Sequence, residues 1–387
     1  MANLVSTERL PQILQFTIQS QPEMLQALQY LVEIESPSDD KTAVNKMGAH
    51  LGREFESLGG RITFHQTQDF GNHLQMEFAG RAGQKPVMLL GHFDTVWPLG
   101  TLANLPFRVA DGRAYGPGIL DMKAGIVMSL YAMGALRELS AREHRPVTIL
   151  LSSDEEAGSN SSRAIIEDIA KGCEAVLVLE PAQGPQGSLK TARKGLGTYY
   201  IRVHGHASHA GVDFEKGHSA IVELSRQILE ITKFTDLTRG ITVSPGVVRG
   251  GTRSNVVAAE ALVEVDIRVA RAVDSARLKE QFLSLRSFDP NCRLEVTGGL
   301  NRPPMERTAG TVRLLETAQD VAKTLGFDLG ESATGGGSDG NFTSALGIAT
   351  LDGLGAVGEG AHAAHESIFL EQLPLRTALL AGLIATI

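Results

Sequence analysis

The chain has 387 residues, of which 42% are hydrophobic and 21% are charged, and its formal net charge is -8. At roughly 100–200 residues per domain this length predicts two domains. The apolar fraction and the modest net charge exclude a disordered chain. The acidic balance, without a basic cluster, argues against nucleic-acid binding. No apolar run approaches the ~18 residues that a membrane span needs.

Cysteine usage and the start of the chain favour a cytoplasmic protein. The two cysteines, Cys173 and Cys292, lie far apart in the sequence and cannot form a disulfide framework, which fits a reducing compartment. The first residues, MANLVSTERLPQILQF, contain no positive region that leads into an apolar one. We therefore expect no secretory signal.

The first half of the chain is predicted to be α/β. Residues 1–55 are expected to form two helices, because QPEMLQALQYLVEIES carries apolar residues at helical spacing. Farther on, short apolar runs alternate with helical patterns: the predicted strands are 86–91, 147–152 and 175–180, and the helices between them are 125–139 and 161–170. Such runs indicate βαβ units in a mixed, mostly parallel sheet that is covered by helices on both faces.

Residues 195–302 have a different pattern and are predicted to be an inserted domain. Strand, helix, strand, strand, helix and strand follow one another there, which is the ferredoxin-like βαββαβ order of an α+β domain. A Pro-rich segment then leads to a helix, a glycine loop, a strand over 345–353 and a terminal helix, which resume the α/β pattern. The predicted α/β domain is therefore discontinuous, over 1–194 and 303–387.

Polar side chains follow the predicted strands at positions where a plain core would not need them. They are His92 and Asp94 after the first strand, Asp121 in the turn-rich segment that comes next, Glu155 and Glu156 after the second strand, and Glu180 at the end of the third. In open α/β sheets, ligands bind outside the carboxyl ends of the strands. We therefore expect these side chains to converge in one crevice.

Converging carboxylates predict bound metal ions. Like charges in a low-dielectric cleft repel each other, and a divalent cation removes the conflict. A mixed His, Asp and Glu set suits zinc, with cobalt or manganese as substitutes. More carboxylates than one ion needs predict two ions about 3.5–4 Å apart with a shared ligand. Taken alone, His92 with Asp94 also fits a surface pair, and Asp154-Glu155-Glu156 also fits a helix cap.

Over nearly the whole chain, the motifs resemble those of the co-catalytic zinc aminoacylase and carboxypeptidase family. They are His92-Phe93-Asp94-Thr95-Val96, Gly116-x-Gly118-x-x-Asp121-Met122-Lys123, Asp154-Glu155-Glu156-Ala157-Gly158-Ser159, Leu179-Glu180-Pro181, Gly205-His206-Ala207-Ser208-His209-Ala210-Gly211 and Thr334-Gly335-Gly336-Gly337-Ser338-Asp339. The glycine loop is most similar to the glutamate carboxypeptidase branch. Met122, in contrast, follows the deacetylase branch, because the glutamate branch usually has a second Asp there.

The resemblance implies a set of metal ligands. Asp121 would bridge two zinc ions, with His92 and Glu180 on one ion and Glu156 and a C-terminal His on the other. Asp94 would support His92, and the peptide bond after Asp121 would be cis.

The C-terminal ligand is chosen between two histidines. In the family, the ligand His commonly precedes a Glu by four residues. His362 has that spacing to Glu366, whereas His365 fits it less well and is expected to be an exposed loop residue.

The resemblance also implies catalytic roles. Glu155 would be the general base that takes a proton from water and returns it to the leaving amine. Glu156 and Glu155 could divide their roles because neighbouring side chains of an extended segment point in opposite directions. His209 would stabilise the oxyanion from the inserted domain of a partner subunit, which makes a homodimer part of the prediction. As an alternative, His209 is a buried, hydrogen-bonded residue of a turn.

Four residues are candidate substrate contacts through the resemblance. Arg268 would bind the free carboxylate of the substrate, Asn255 would assist it, and Gly336 and Gly337 would leave room for the substrate backbone. Arg268 could equally be a charge partner of Glu264 or Asp266. Trp97 and Arg302 are further candidates.

The resulting hypothesis is a di-zinc amidohydrolase that cleaves the amide bond next to a C-terminal amino acid, in the manner of a glutamate carboxypeptidase. Its substrate would be a small peptide or N-acyl amino acid with a free carboxylate. The alternatives are an N-acyl-amino-acid deacylase or a dipeptidase with the same chemistry, and a catalytically silent carboxylate-binding protein. A nucleotide-binding loop at GGGSDG is disfavoured because its spacing does not match a P-loop.

Overall fold

A computed structural model describes residues 9–140 and 144–387. The chain divides into two compact units. The first unit runs up to Ala192 and resumes over Arg307–Thr334 and Ser338–Ile387. The second unit consists of Arg193–Glu306 with Gly335–Gly337.

Over the described residues the chain forms helices and strands in the following order. The helices are α1 (Leu10–Gln19), α2 (Gln21–Glu33), α3 (Lys41–Ser57), α4 (Ala124–Ser140), α5 (Arg163–Lys171), α6 (Ala220–Thr232), α7 (Ala272–Leu283), α8 (Ala309–Thr324), α9 (Gly340–Ala345) and α10 (Gln372–Thr386). The strands are β1 (Arg61–His65), β2 (His73–Phe78), β3 (Val87–His92), β4 (Arg108–Ala110), β5 (Arg113–Tyr115), β6 (Val147–Ser152), β7 (Ala175–Val178), β8 (Leu189–Arg193), β9 (Gly195–His204), β10 (Thr242–Gly250), β11 (Glu260–Val269), β12 (Arg293–Arg302), β13 (Glu331–Thr334), β14 (Ala349–Leu351), β15 (Gly358–Glu359) and β16 (Ser367–Phe369).

The first unit is built on a six-stranded sheet in the order β1-β2-β6-β3-β7-β14. Strands β6, β3, β7 and β14 are parallel, and β1 and β2 form an antiparallel edge. Side chains of β3 alternate between two cores: Val87 and Leu89 join the larger core, which contains most of the helices, while Met88 and Leu90 join a smaller one with α5 and α9. The mixed, mostly parallel sheet with helices on both faces is therefore confirmed.

The amino-terminal region has three helices, whereas the sequence predicted two. Helix α1 ends at Gln19 and α2 begins at Gln21, with Pro22 in its first turn. Proline has no N–H to donate and is tolerated only in the first turn of a helix. The chain therefore starts a new helix there, and α3 follows after a short turn. Residues 1–8 of the predicted segment lie outside the described residues.

Three further predictions differ from the structure for local reasons. The antiparallel edge was missed because β1 is largely exposed and lacks a continuous apolar run. Residues 340–345 of the predicted glycine loop and following strand form α9, which at six residues is too short to show a helical period. The last strand of the sheet covers only Ala349–Leu351 of the predicted 345–353.

Helix α4 runs through the core of the first unit. Among the described residues, the segment Ile119–Leu139, which comprises the turn before α4 and most of the helix, is long and apolar enough to cross a membrane by length and composition, but 78% of its most apolar stretch is buried inside the protein. It packs against α1, α2 and α10, as the core helix of a globular domain does.

The second unit is the predicted ferredoxin-like arrangement. Its antiparallel sheet has the order β10-β11-β9-β12, so that β10 and β12 are the edges. Helices α6 and α7 cover one face, and their residues Leu224 and Phe282 share a core with the inward side chains of the sheet. The ring of Phe282 stacks on Tyr199 of β9 at 4.0 Å between centroids.

Candidate active site

Three of the predicted ligands lie at one edge of the large sheet. His92 is the last residue of β3, Glu156 lies in the turn after β6, and Glu180 is two residues beyond β7. These strands are neighbours and parallel, so their carboxyl ends meet at the same edge. This is where open α/β sheets bind ligands.

Asp121 reaches the same place by a different route. The sequence placed it with the strand ends, but β5 ends at Tyr115 and Asp121 lies just before α4, in a wide turn with non-helical backbone angles. The Asp121–Met122 peptide bond is cis, as the resemblance implied. The Met122 sulfur accepts a bond from the backbone N–H of His92 at 3.3 Å, which ties this turn to the end of β3.

The first group of candidate ligands is His92, Asp121 and Glu180. His92 Nε2 lies 3.1 Å from Asp121 Oδ1 and 3.6 Å from Glu180 Oε1. The His92 side chain is 1% exposed and that of Glu180 is 9% exposed. This group is therefore almost completely enclosed by protein.

The second group is Asp121, Glu156 and His362. His362 Nε2 lies 3.0 Å from Glu156 Oε1 and 3.4 Å from Asp121 Oδ2. The Glu156 side chain is only 10% exposed, but that of His362 is 48% exposed, so this group opens to solvent at His362. His365 belongs to neither group, and the geometry favours His362 of the two histidines.

The two groups fit a pair of divalent cations. Each oxygen of Asp121 faces a different histidine, as a bridging carboxylate does, and the ligand atoms within each group lie within 4.8 Å of one another. Nitrogen and oxygen donors of this kind suit zinc, and also cobalt or manganese. The structure contains the ligand atoms that two such ions would need.

The electrostatics of the cluster fit the same conclusion. Burial disfavours a charged His92, but bonds to Asp121 and Asp94 outweigh it and raise the His92 pKa well above its usual value. Bonds to Asp121 and Glu156 raise the pKa of His362 to about 10. Burial opposes ionisation of Asp121, yet both histidines together lower its pKa. Without metal, protons on His92 and His362 thus supply the positive charge that bound cations would supply.

Asp94 connects the first group to the Glu155–Glu156 turn. Its carboxylate accepts bonds from the backbone N–H of Glu155 at 3.2 Å and of Glu156 at 3.1 Å, and from the Ser38 hydroxyl at 2.6 Å. His92 Nδ1 lies 3.0 Å from the Asp94 backbone oxygen, so Nε2 faces the other ligands. Asp94 was predicted to support His92, and in the structure it also holds the turn that carries Glu155 and Glu156.

Glu155 and Glu156 lie in a turn, and the expectation of an extended segment was wrong. The backbone N–H of Gly158 donates to the Glu155 carbonyl at 2.9 Å, which closes the turn. The turn is not a helix cap either, because α5 begins only at Arg163. Asp94 holds this turn through the backbone N–H groups of both glutamates.

Glu366 is a buried residue whose importance sequence reasoning missed. Its carboxylate accepts four bonds: from the backbone N–H groups of Gly118, Leu120 and Asp121 at 2.8–3.0 Å, and from the Trp97 indole at 2.9 Å. Burial raises its pKa, and these donors oppose that shift. The four-residue spacing between His362 and Glu366 could have indicated a role for Glu366. That spacing was used only to choose His362 over His365.

The remaining predicted residues belong to the second unit. His209 and Asn255 lie on adjoining segments and are both exposed, and the Ala210 N–H donates to the Asn255 carbonyl at 3.0 Å. Arg268 pairs with Asp266 through two bonds of 3.0 and 2.9 Å, which decides between the two charge partners considered.

The glycine loop of the second unit lies beside two arginines. Its Gly336 and Gly337 carbonyls accept bonds from buried Arg193 at 3.3 and 2.9 Å. A side chain at Gly337 would collide with Leu196. Arg302 is also buried and donates to the Asn301 side chain at 2.8 Å.

Comparisons with known proteins agree with this geometry. Residues 88–386 match the model of peptidase family M20/M25/M40. The chain is 31% identical over 380 residues to carboxypeptidase G2 of Pseudomonas sp. (strain RS-16), over 96% of this chain and 91% of the relative.

Two solved structures illustrate the likeness in fold. The aminopeptidase PepT of Bacillus cereus superposes with a TM-score of 0.78 at 22% identity, over 95% of this chain and 98% of that one. A dinuclear metal-binding peptidase of family M20 from Bacillus subtilis superposes with a TM-score of 0.67 at 16% identity, over 95% of this chain and 99% of that one.

Proposed function

Because the chain belongs to peptidase family M20/M25/M40 and is a hydrolase of the metallopeptidase class, we propose that it releases a C-terminal amino acid, with glutamate preferred, from a small peptide or N-acyl substrate. The observation that carries the proposal is the shared position of Asp121 between two ligand groups. The likeness to a carboxypeptidase over nearly the whole chain supports the direction of cleavage.

We propose zinc as the metal, one ion held by His92, Asp121 and Glu180 and the other by Asp121, Glu156 and His362. When bound, such ions supply positive charge that polarises the scissile carbonyl and acidifies water. The enclosed first group and the open second group leave the solvent side of the cluster accessible to substrate.

Glu155 is the proposed general base. It follows Asp154 on the turn, and its backbone N–H donates to the carboxylate of Asp94, the residue whose backbone oxygen orients His92. Its carboxylate takes a proton from the attacking water and returns it to the leaving amine. Asp94 acts through its neighbours and is a positioning residue.

His209 is the proposed oxyanion donor, contributed by a partner subunit. Its Nδ1 accepts a bond from the Gly211 N–H at 3.1 Å, which leaves the proton of a neutral imidazole on Nε2. An Nε2–H on an exposed side chain is the form that can donate to a developing oxyanion. Exposure favours this role over that of a buried turn histidine.

The proposed dimer forms through the second unit. Strand β10 is an edge of its sheet, and its Val247 and Val248 are exposed. Helix α6 exposes Val222 and Leu229 as well. An unpaired edge strand with apolar side chains is a template for pairing with another chain, and a second copy offers the same strand for a two-fold interface.

Substrate binding is proposed to involve Arg268 and Asn255, with space provided by Gly336. Gly337 was also predicted to leave such space, but there Leu196 and Arg302 already lie where a side chain would be. Asp266 holds the Arg268 guanidinium in a fixed orientation, and Nη1 points to the Gly335 carbonyl at 3.5 Å. A fixed guanidinium is suited to a planar carboxylate. Met122 beside the bridging Asp keeps the second candidate open, a deacylase or dipeptidase with the same site.

The proposal is tested by Glu155→Gln on the zinc-loaded enzyme. General acid–base catalysis contributes about 10²–10⁴-fold, so we expect turnover to fall by about that factor while both metals stay bound. Glu371→Gln, at an exposed position, is the matched control. The readout is mass-spectrometric hydrolysis of folate-like glutamates, N-acyl amino acids and dipeptides. Near-normal turnover by Glu155→Gln contradicts the assigned base, and cleavage confined to dipeptides or acyl groups selects the second candidate.

The trans role of His209 has its own test. Inactive His209→Ala dimers are mixed with inactive Glu155→Gln dimers and allowed to exchange subunits. In a two-fold dimer with shared sites, half of the molecules become mixed and each regains one intact site, or about a quarter of full activity. No recovery after proven exchange contradicts the trans arrangement.

A further inference from the structure

A cavity of about 380 Å³ lies between helices α2, α3 and α4 of the first unit. Its floor is apolar and includes Leu31, Leu51, Ile126 and Val127, all buried. Its size falls within the range of about 300–1,000 Å³ that is typical of small-molecule sites. None of its lining residues has a role in the proposed hydrolysis.

The rim of the cavity is acidic. Glu23 of α2 and Glu54 of α3 line it, and among the described residues no lysine or arginine does. His50 lies 3.9 Å from Glu54, but burial and the nearby charge of Arg53 lower the pKa of His50 against the opposing effect of Glu54, so the charged form of His50 is disfavoured. Two carboxylates therefore line the cavity, while Arg53, whose charge acts on His50, lies outside the lining.

Aromatic side chains complete the rim. The Tyr30 and His50 rings lie 4.5 Å apart between centroids, and Tyr131 of α4 lines the cavity with them. Burial raises the pKa of Tyr131, and both Glu23 and Glu54 raise it further, so the two carboxylates act on the same hydroxyl. Tyrosine faces attract cations, and carboxylates add to that attraction.

We propose that this cavity binds a small organic monocation, a primary amine carried on an aromatic or alkyl body. The apolar floor accepts the body, because burial of apolar surface there is favourable. The ammonium group stays at the rim, where Glu23, Glu54 and the tyrosines face it. An anion of the same shape is repelled by the two carboxylates. A neutral molecule of that shape is attracted neither by the carboxylates nor by the tyrosine rings.

The test uses fluorine NMR of 5-fluorotryptamine with the metal-loaded, full-length protein. Two analogues with the same ring serve as matched probes, the neutral 5-fluorotryptophol and the anionic 5-fluoroindole-3-acetate. We expect saturable binding of the amine, with the alcohol weaker and the acid weakest. Equal or tighter binding of the alcohol overturns the proposal, because charge would then play no part.

Variants place the binding at this cavity. An exposed ion pair contributes about 0.2–1 kcal/mol, so Glu23→Gln and Glu54→Gln should each weaken the amine about threefold, and the double variant about tenfold. Glu56→Gln, at an exposed position on the same helix as Glu54, is the control and should bind normally. Ala27→Phe fills the cavity and should abolish binding while hydrolysis continues.

The outcome is independent of the proposed hydrolytic function. If the double variant and Ala27→Phe bind the amine as well as the unchanged protein does, the amine binds elsewhere and the proposal is wrong. Weaker amine binding by the double variant and loss of binding in Ala27→Phe, with kcat/KM unchanged, support it. Failure of the peptidase proposal would appear in the Glu155→Gln experiment and leave this result standing.

Discussion

The two ligand groups that meet at Asp121 have different surroundings. His92 and Glu180 follow parallel strands and are enclosed, whereas the side chain of His362 is 48% exposed on a loop. His362 also has a backbone φ of 62°, a left-handed conformation that is uncommon outside glycine. One half of the site is thus built into the sheet, and the other depends on loops.

This difference shows how the open half is kept in place. Loops tolerate motion that strands do not, so they need additional anchors. Here Asp94 anchors the turn of Glu156, and Glu366 anchors the segment of Asp121 from the loop that also carries His362. We expect changes in the enclosed half to alter folding and changes in the open half to alter metal binding alone.

The largest effect is expected where the halves join. Asp121→Asn removes the shared charge and should release both metals. Metal ions supply several kcal/mol of catalysis, so we expect kcat/KM to fall on the order of 10³-fold or more. Metal analysis and kinetics are the measurements, with exposed Asp168→Asn as the control. A variant that retains two ions would show that Asp121 is not shared.

A direct comparison of the halves comes from two histidine substitutions. His92→Ala opens a buried site and should destabilise the metal-free protein by about 2 kcal/mol. His362→Ala changes a half-exposed residue and should lower that stability by less than His92→Ala does, while one of two metals is lost. Urea unfolding and metal analysis measure both. Equal destabilisation by the two variants would remove the distinction between the halves.

A smaller effect is expected from the anchor Glu366. The Glu366 carboxylate accepts four hydrogen bonds from N–H donors. In Glu366→Gln, the amide NH₂ group replaces one acceptor oxygen and faces these donors with donors of its own. Outer residues of this kind typically change metal affinity 10–100-fold, and we expect a loss in that range with the fold retained. Competition with a chelator measures it, and Glu359→Gln, on the preceding strand, is the control. Unchanged affinity would make Glu366 a structural residue only.

The smallest predicted effect is a pH dependence of stability without metal. The pKa of His362 in the folded protein is about 10, above its ordinary value of 6.5. The stabilisation from its protonated form is therefore complete below pH 6.5 and is lost as pH rises toward 10. The Tm of the chelated protein should fall over that interval, and less so in His362→Ala. A Tm that rises with pH would contradict the assignment.

The sequence predicted the parts of this site that depend on local patterns. The run before His92 and the run before Glu180 are recognisable as strands, and neighbouring parallel strands bring their ends together. The cluster could therefore be proposed before its geometry was known. The fold class and the βαββαβ order of the second unit were predictable for the same reason, namely a clear period in each element.

The parts that could not be predicted depend on distant contacts. The role of Glu366 arises because its carboxylate meets backbone N–H groups of residues 118–121, far away in the sequence. The Glu155–Glu156 turn depends on Asp94, 61 and 62 residues earlier. Glu264 and Asp266 both lie on the same face of the strand as Arg268, so the sequence could not show which of them pairs with it. In the structure the partner is Asp266.

Anomalous X-ray diffraction at the zinc edge, on crystals of the zinc-loaded protein, will show whether two metal ions share Asp121. We expect two anomalous peaks on either side of the Asp121 carboxylate, one beside His92 and Glu180 and the other beside Glu156 and His362. A single peak, or peaks away from Asp121 in an enzyme that remains fully active, would contradict it.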